Sequence, residues 1–136
     1  MGVMIEAVYD GQLMCTARHV PSAAVLRTEA PVDNGGQGRQ FSPTDLVAAA
    51  FATCVLTIMG LYAQREGLAL AGTAVQIDKS MTTVPPRRIA ALAVRITLPP
   101  ALALSAEQRE KLAATVRACP VKQSLHPDVV IDVAWQ

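Results

Sequence analysis

Two of the chain's three cysteines stand where a thiol could do chemistry. Cys54 lies in the middle of the stretch from Ser42 to Gly67, SPTDLVAAAFATCVLTIMGLYAQREG, and Cys119 opens the segment CPVKQSLHPDV. A thiolate that attacks the terminal oxygen of a hydroperoxide becomes a sulfenic acid, and a second thiol close by traps that acid as a disulfide before it is overoxidised. Cysteines on two separate apolar elements suit this sequence of steps, provided the fold brings them together. Against it stands the ordinary use of a free cysteine as a small buried hydrophobe. Cys15 carries no motif and alternates with Leu13 and Ala17 on one face of a strand, so it reads as packing. Cys54 is too far into its helix for the N-terminal dipole to reach it, so its thiolate needs a cation.

Other chemistries fit less well. A zinc site would need Cys54, Cys119 and His126 to converge, and no pair of them has the short spacing of a zinc motif. Gly35 to Gly38, GGQG, follows no apolar strand and lacks the Lys-Ser/Thr ending of a phosphate loop. Neither His19 nor His126 sits near the strained turn of a serine hydrolase nucleophile. Thr53 and Thr57 are within reach of Cys54 along the helix, yet threonines there usually bond back to backbone carbonyls. No metal and no cofactor is expected.

The element that must hold Cys54 is marked at both ends. Ser42 is an N-cap, Pro43 suits the first helical position, and Asp45, three residues beyond the cap, completes a capping box. Arg65 complements the negative helix end, and Gly67 can take the left-handed conformation that closes it. From Leu46 through Ala63 there is no charged side chain, which raises the question of a membrane span. The abundance of alanine, the presence of Gly60, Thr53 and Thr57, and the strand-like segments on either side argue instead for a core helix apolar on every face. Its small residues permit close approach of another backbone, and a second copy of the same helix across a dimer axis is the economical partner.

Around this helix the chain reads as strands. Ile5, Ala7 and Tyr9 alternate with polar or outward positions, Asp10-Gly11 signals a hairpin turn, and Leu13, Cys15 and Ala17 resume the period of two. A turn near Pro21-Ser22 leads to a strand over residues 25–29, and APVDNGGQGRQF, residues 30–41, is a loop. Residues 73–80 and Leu92 to Leu98 form a long hairpin about a Pro85-Pro86-Arg87-Arg88 corner. Ser105 and Gln108 set a capping box for a helix running to about Ala118, which Pro120 stops or bends. His126-Pro127-Asp128 is a turn before a last strand with Val129, Ile131, Val133 and Trp135 on one face. Hairpins with two separate helices and no βαβ alternation make an α+β fold.

The totals narrow the partners. A net charge of +1 leaves no basic footprint for nucleic acid or an anionic membrane, and an aromatic share of 4% gives no base-stacking platform. The start of the chain lacks the features of a signal peptide, so a cytoplasmic location is the default, and there the cysteines are thiols.

SPTDLVAAAFATC followed by CPVKQSLHPDV resembles the OsmC/Ohr family of osmotically inducible and organic hydroperoxide resistance proteins. The likeness runs from about Gly35 to the end and, more loosely, through the N-terminal strands. It implies a single OsmC-like domain over residues 1–136, with antiparallel sheets wrapped around a buried central helix in an intertwined homodimer. It also implies a thiol peroxidase with Cys54 as the peroxidatic and Cys119 as the resolving cysteine, a small organic hydroperoxide as substrate and a dithiol as reductant. The family site supplies an arginine oriented by an acid. Arg18 and Arg39 come from the segments that carry that arginine in different branches, and Asp45 is the acid beside Thr44, which stands where the best-studied branches have glutamate. The competing expectation is a dimer of the same fold that binds a ligand or senses redox state without turnover; a third is a structural protein with inert thiols.

Overall fold

A two-residue reversal sets the register of the first strands. In the computed structural model, which describes residues 1–136, Gln12 and Leu13 both have positive φ, 55° and 62°, as a tight hairpin requires of its central pair. The turn therefore falls two residues later than the Asp10-Gly11 signal places it. Gly11 ends strand β1 (Ile5–Gly11) at a register shift, and Leu13 leaves the strand face for the turn. Strand β2 (Met14–His19) pairs antiparallel with β1 and with β3 (Val25–Glu29), in the order β1-β2-β3. The second turn is as expected, with Ser22 Oγ 2.6 Å from His19 Nδ1. In the loop that follows, a side chain at Gly36 would collide with the carbonyl oxygen of Ala30, so only glycine fits there.

These strands belong to one of two compact units, residues 1–47 and residues 48–136. The first unit leaves Met4, Ile5, Val8, Tyr9, Val25 and Leu26 exposed.

Helix α1 (Pro43–Glu66) starts in the first unit and continues through the second. Its cap is reciprocal: Asp45 N–H donates to Ser42 Oγ at 3.1 Å and Ser42 N–H donates to Asp45 Oδ2 at 2.8 Å. Gly67, at φ 66°, closes the helix, and Leu68 N–H donates to the Ala63 carbonyl at 2.9 Å. Over Pro43–Glu66 the helix is long and apolar enough to cross a membrane by length and composition. Within the chain it buries one stripe, Ala48, Phe51, Val55, Met59 and Ala63, at spacings of three and four. Ala50, Thr53, Thr57 and Leu61 remain exposed, and a side chain added at Gly60 would meet nothing within 4 Å. Burial on every face, expected from the apolar composition, is therefore not achieved by this chain alone.

The second sheet has the order β4-β5-β6. Strands β4 (Ala74–Met81) and β5 (Ile89–Thr97) form the antiparallel hairpin foreseen, and Leu92, Val94 and Ile96 are buried on its inner face. Strand β6 (Val130–Trp135) lies parallel to β5, contrary to the antiparallel pairing expected throughout. The physical reason is the connection: helices α2 (Ala106–Arg117) and α3 (Pro120–Ser124) carry the chain back along the sheet before β6 begins. The expectation of no βαβ crossover fails for the same reason, while the α+β class holds. Helix α3 is itself an addition. Pro120 occupies its first turn, where a missing N–H costs nothing, so the proline restarts a helix after a break at Ala118 and Cys119.

The α2 capping box is present, with Gln108 N–H donating to Ser105 Oγ at 3.1 Å and Ser105 N–H to Gln108 Oε1 at 2.9 Å. Replacing Ser105 with Ala removes one of these bonds at an exposed helix start. The expected cost is about 1 kcal/mol in urea unfolding, with an unchanged slope.

Candidate functional site

Cys119 sits in the break between α2 and α3 and is wholly buried, at 0% exposure. It follows Val116, which packs in the core from the last turn of α2. Its sulfur lies near the Cys54 thiol and near the backbone N–H groups of Val121 and Lys122 at the start of α3, close enough for all three to act on its charge, without a side-chain cap bond. Cys54 stands on α1 between the buried Phe51 and Val55 and is itself half-buried. The second unit thus brings together the two cysteines singled out from sequence. Burial pushes the Cys119 thiol up from its ordinary pKa, the Cys54 thiol adds to this, and the two backbone N–H groups partly offset it. A thiol whose pKa is raised from its ordinary value stays protonated at neutral pH.

The remaining residues near Cys54 on the helix behave as threonines in helices do. Thr53 Oγ1 donates to the Ala49 carbonyl at 2.9 Å and Thr57 Oγ1 to the Thr53 carbonyl at 2.8 Å. Cys15 lies in the first unit, in β2, paired with Tyr9 on one side and Thr28 on the other. His126 Nδ1 accepts from Asp128 N–H at 3.1 Å, fixing the turn before β6.

The first unit contains an oriented arginine. Glu29, at the end of β3, is 1% exposed and receives four donors from the loop that follows. Arg39 Nη2 lies 2.9 Å from Oε1 and Arg39 Nε 3.3 Å from Oε2, a forked pairing of guanidinium with carboxylate. The backbone N–H groups of Arg39 and Gln37 donate at 3.0 Å and 3.3 Å. The Arg39 side-chain bond holds the Glu29 carboxyl below its ordinary pKa, against burial, which raises it, with the backbone bonds from Arg39 and Gln37 assisting. The same bond raises Arg39. Arg18, by contrast, meets Glu6 at 3.7 Å with both side chains about half exposed. Asp45 serves the α1 cap.

Glu29 was not among the acids identified from sequence. It ends a short strand without a clean alternation, and its one distinguishing mark is that the glycine-rich loop carrying Arg39 begins immediately after it.

A cavity of about 270 Å³ opens in the second unit, lined by Phe51, Val116, Ile131, Val133 and Trp135 with Lys122 and Arg117 adding charge. Three of its lining residues adjoin the cysteine pair: Phe51 and Val116 each stand one turn before a cysteine, and the Lys122 backbone N–H lies near the Cys119 sulfur.

Two three-stranded sheets with helices, and two thiols brought near each other, define an α+β domain, and comparison with known proteins gives the family. The description of OsmC-like proteins matches residues 36–134, and the chain belongs to that family. A Psychrobacter arcticus 273-4 protein, a candidate for the osmotic stress induced and detoxification response, superposes with a TM-score of 0.92 at 36% identity, covering 100% of this chain and 98% of its own. The organic hydroperoxide resistance protein OsmC of Legionella pneumophila gives 0.77 at 18% identity, covering 100% and 97%. The organic hydroperoxide resistance protein OhrB of Bacillus subtilis gives 0.69 at 12%, covering 100% and 98%. No curated protein sequence matches the chain.

Because the Glu29 pKa is depressed, its contribution to stability is present above the ordinary carboxylate pKa and is lost as pH falls through the lowered value. The Gln37 and Arg39 amides should therefore exchange hydrogen slowly at neutral pH and lose protection, relative to intrinsic rates, only once pH falls below the ordinary carboxylate range. Glu29→Gln should lose protection at pH 7 by about tenfold and flatten this pH dependence, as measured by NMR-detected exchange.

Proposed function

We propose that the protein is a thiol-dependent peroxidase that reduces organic hydroperoxides, with Cys54 as the nucleophile and Cys119 as the thiol that resolves it. The observation that carries this reading is the proximity of the two thiols, on elements far apart in the chain. The names of the Legionella and Bacillus structures support it. The Cys54 thiolate attacks the terminal oxygen of ROOH; the O–O bond breaks, ROH leaves with a proton, and Cys54 becomes a sulfenic acid. Cys119 then attacks that sulfur, an S–S bond forms, and water is expelled. A dithiol returns both cysteines to the reduced state, and we assign the cycle to the cytoplasm, where such reductants are kept reduced. Arg39 is our choice for the cation that the Cys54 thiolate needs, since Glu29 fixes its guanidinium.

A redox sensor would use the same pair without turnover, and Thr44, where other branches have glutamate, favours keeping that second reading. The two separate in a peroxidase assay with cumene hydroperoxide and dithiothreitol. We expect sustained consumption by the wild type and background rate for Cys54→Ser. Cys119→Ser should give a single turnover and then sulfinic acid by mass spectrometry. Arg39→Ala should lose more activity than Arg18→Ala. A wild type that forms the disulfide but does not consume further hydroperoxide is the sensor.

The working unit in this reading is a homodimer joined through the open face of α1, where Thr57 and Leu61 are exposed and a side chain at Gly60 would meet nothing within 4 Å. Sedimentation should find a dimer at micromolar concentration. Gly60→Leu has room in the single chain. It should weaken association by about 1–3 kcal/mol through overpacking, with little change in the secondary structure of the monomer.

A further inference from the structure

The two sulfurs differ in access. Cys119 is already 0% exposed in the single chain, and a partner docking on the protein leaves it no more open, whereas Cys54 is half-buried. Which sulfur of a disulfide an external thiolate attacks depends on access and on the leaving thiol. The attacker must approach its target sulfur from behind, along the S–S axis. For Cys119 that approach is closed by the core that packs around the α2–α3 break, and by the Val121 and Lys122 backbone that already occupies part of its surface.

Resting on the peroxidase reading above, we propose that the dithiol reductant attacks Sγ of Cys54 and expels Cys119, whose sulfur is received by the backbone N–H groups of Val121 and Lys122. The new S–S bond forms between reductant and Cys54 as the Cys54–Cys119 bond breaks, and the electron pair of the broken bond goes to Cys119. Cys119 takes up a proton. The second thiolate of the reductant then closes on its own bound sulfur, leaving as a cyclic disulfide and releasing the Cys54 thiolate. Two electrons have passed from the dithiol to the protein.

Two effects act on the Cys119 leaving group. Burial opposes a thiolate there and slows departure, while the two N–H donors assist it. After departure burial helps: a Cys119 held as a thiol is slow to attack the mixed disulfide again, which gives the second thiol of the reductant time to act. Access selects the sulfur attacked, and the environment of Cys119 makes the choice productive.

The test uses chemically prepared disulfides and no hydroperoxide, so that it is independent of peroxidase activity. In a Cys15→Ser background, Cys119→Ser and Cys54→Ser each retain one thiol, which is converted to its mixed disulfide with thionitrobenzoate. Dithiothreitol releases the coloured thiol by attacking the protein sulfur. Release from Cys54 is expected to be at least about tenfold faster; a folded Cys119 that takes the label only after unfolding counts the same way. Equal rates, or faster release from Cys119, overturn the proposal. As a second measure, wild type oxidised with diamide is treated with 2-mercaptoethanol, quenched in acid and peptide-mapped. The adduct should be on Cys54 with Cys119 free. An adduct on Cys119, or comparable amounts on both, overturns it, whereas failure to consume hydroperoxide would overturn only the peroxidase reading.

Discussion

The meeting of Cys54 and Cys119 depends on the break that Pro120 imposes. A proline lacks the N–H that an uninterrupted helix would need and clashes with the preceding turn, so α2 ends at Arg117 and a second helix begins at Pro120. The residues left between them are Ala118 and Cys119, the second in a non-helical conformation that sets the Val121 and Lys122 N–H groups near its sulfur. Were α2 to run on, those N–H groups would be spent on helical carbonyls. The same break lets the chain reach β6 and lay it parallel to β5, so one backbone feature places the thiol and completes the sheet.

Electrostatics is concentrated in the first unit and differs in kind. Glu29 is a buried carboxylate, which is costly to desolvate unless its oxygens are satisfied. Four donors from residues 37 and 39 satisfy them, two from the Arg39 side chain and two from the backbone. The consequence is that a loop rich in glycine acquires a fixed guanidinium. Arg18, on an exposed strand with a distant partner, has no such constraint.

Both units leave apolar surface uncovered: the strand residues Ile5, Val8 and Tyr9 in one, the Leu61 side of α1 in the other. A helix with no charge from Leu46 through Ala63 and only one buried stripe is incomplete as an isolated element. Its composition follows from the need to be covered on more than one side, and its small residues set how closely whatever covers it can approach.

Local structure is legible in the order of the residues. The caps at Ser42 and Ser105, the Gly67 terminator, the β4–β5 hairpin and its buried Leu92, Val94 and Ile96 are read from neighbouring residues, because capping, turn conformation and side-chain alternation act over a few positions. Both candidate cysteines were legible as well, through the motifs around them. Contacts between elements were not. The parallel placement of β6, the partnership of Glu29 with Arg39 and the uncovered face of α1 depend on where distant segments meet. The turn at Gln12-Leu13 lay between these cases, its signal outweighed by the register of the strands it joins. Whether Cys54 and Cys119 touch was likewise left to the tertiary structure, since a thiol's partner and burial are properties of the space around it rather than of its place in the chain.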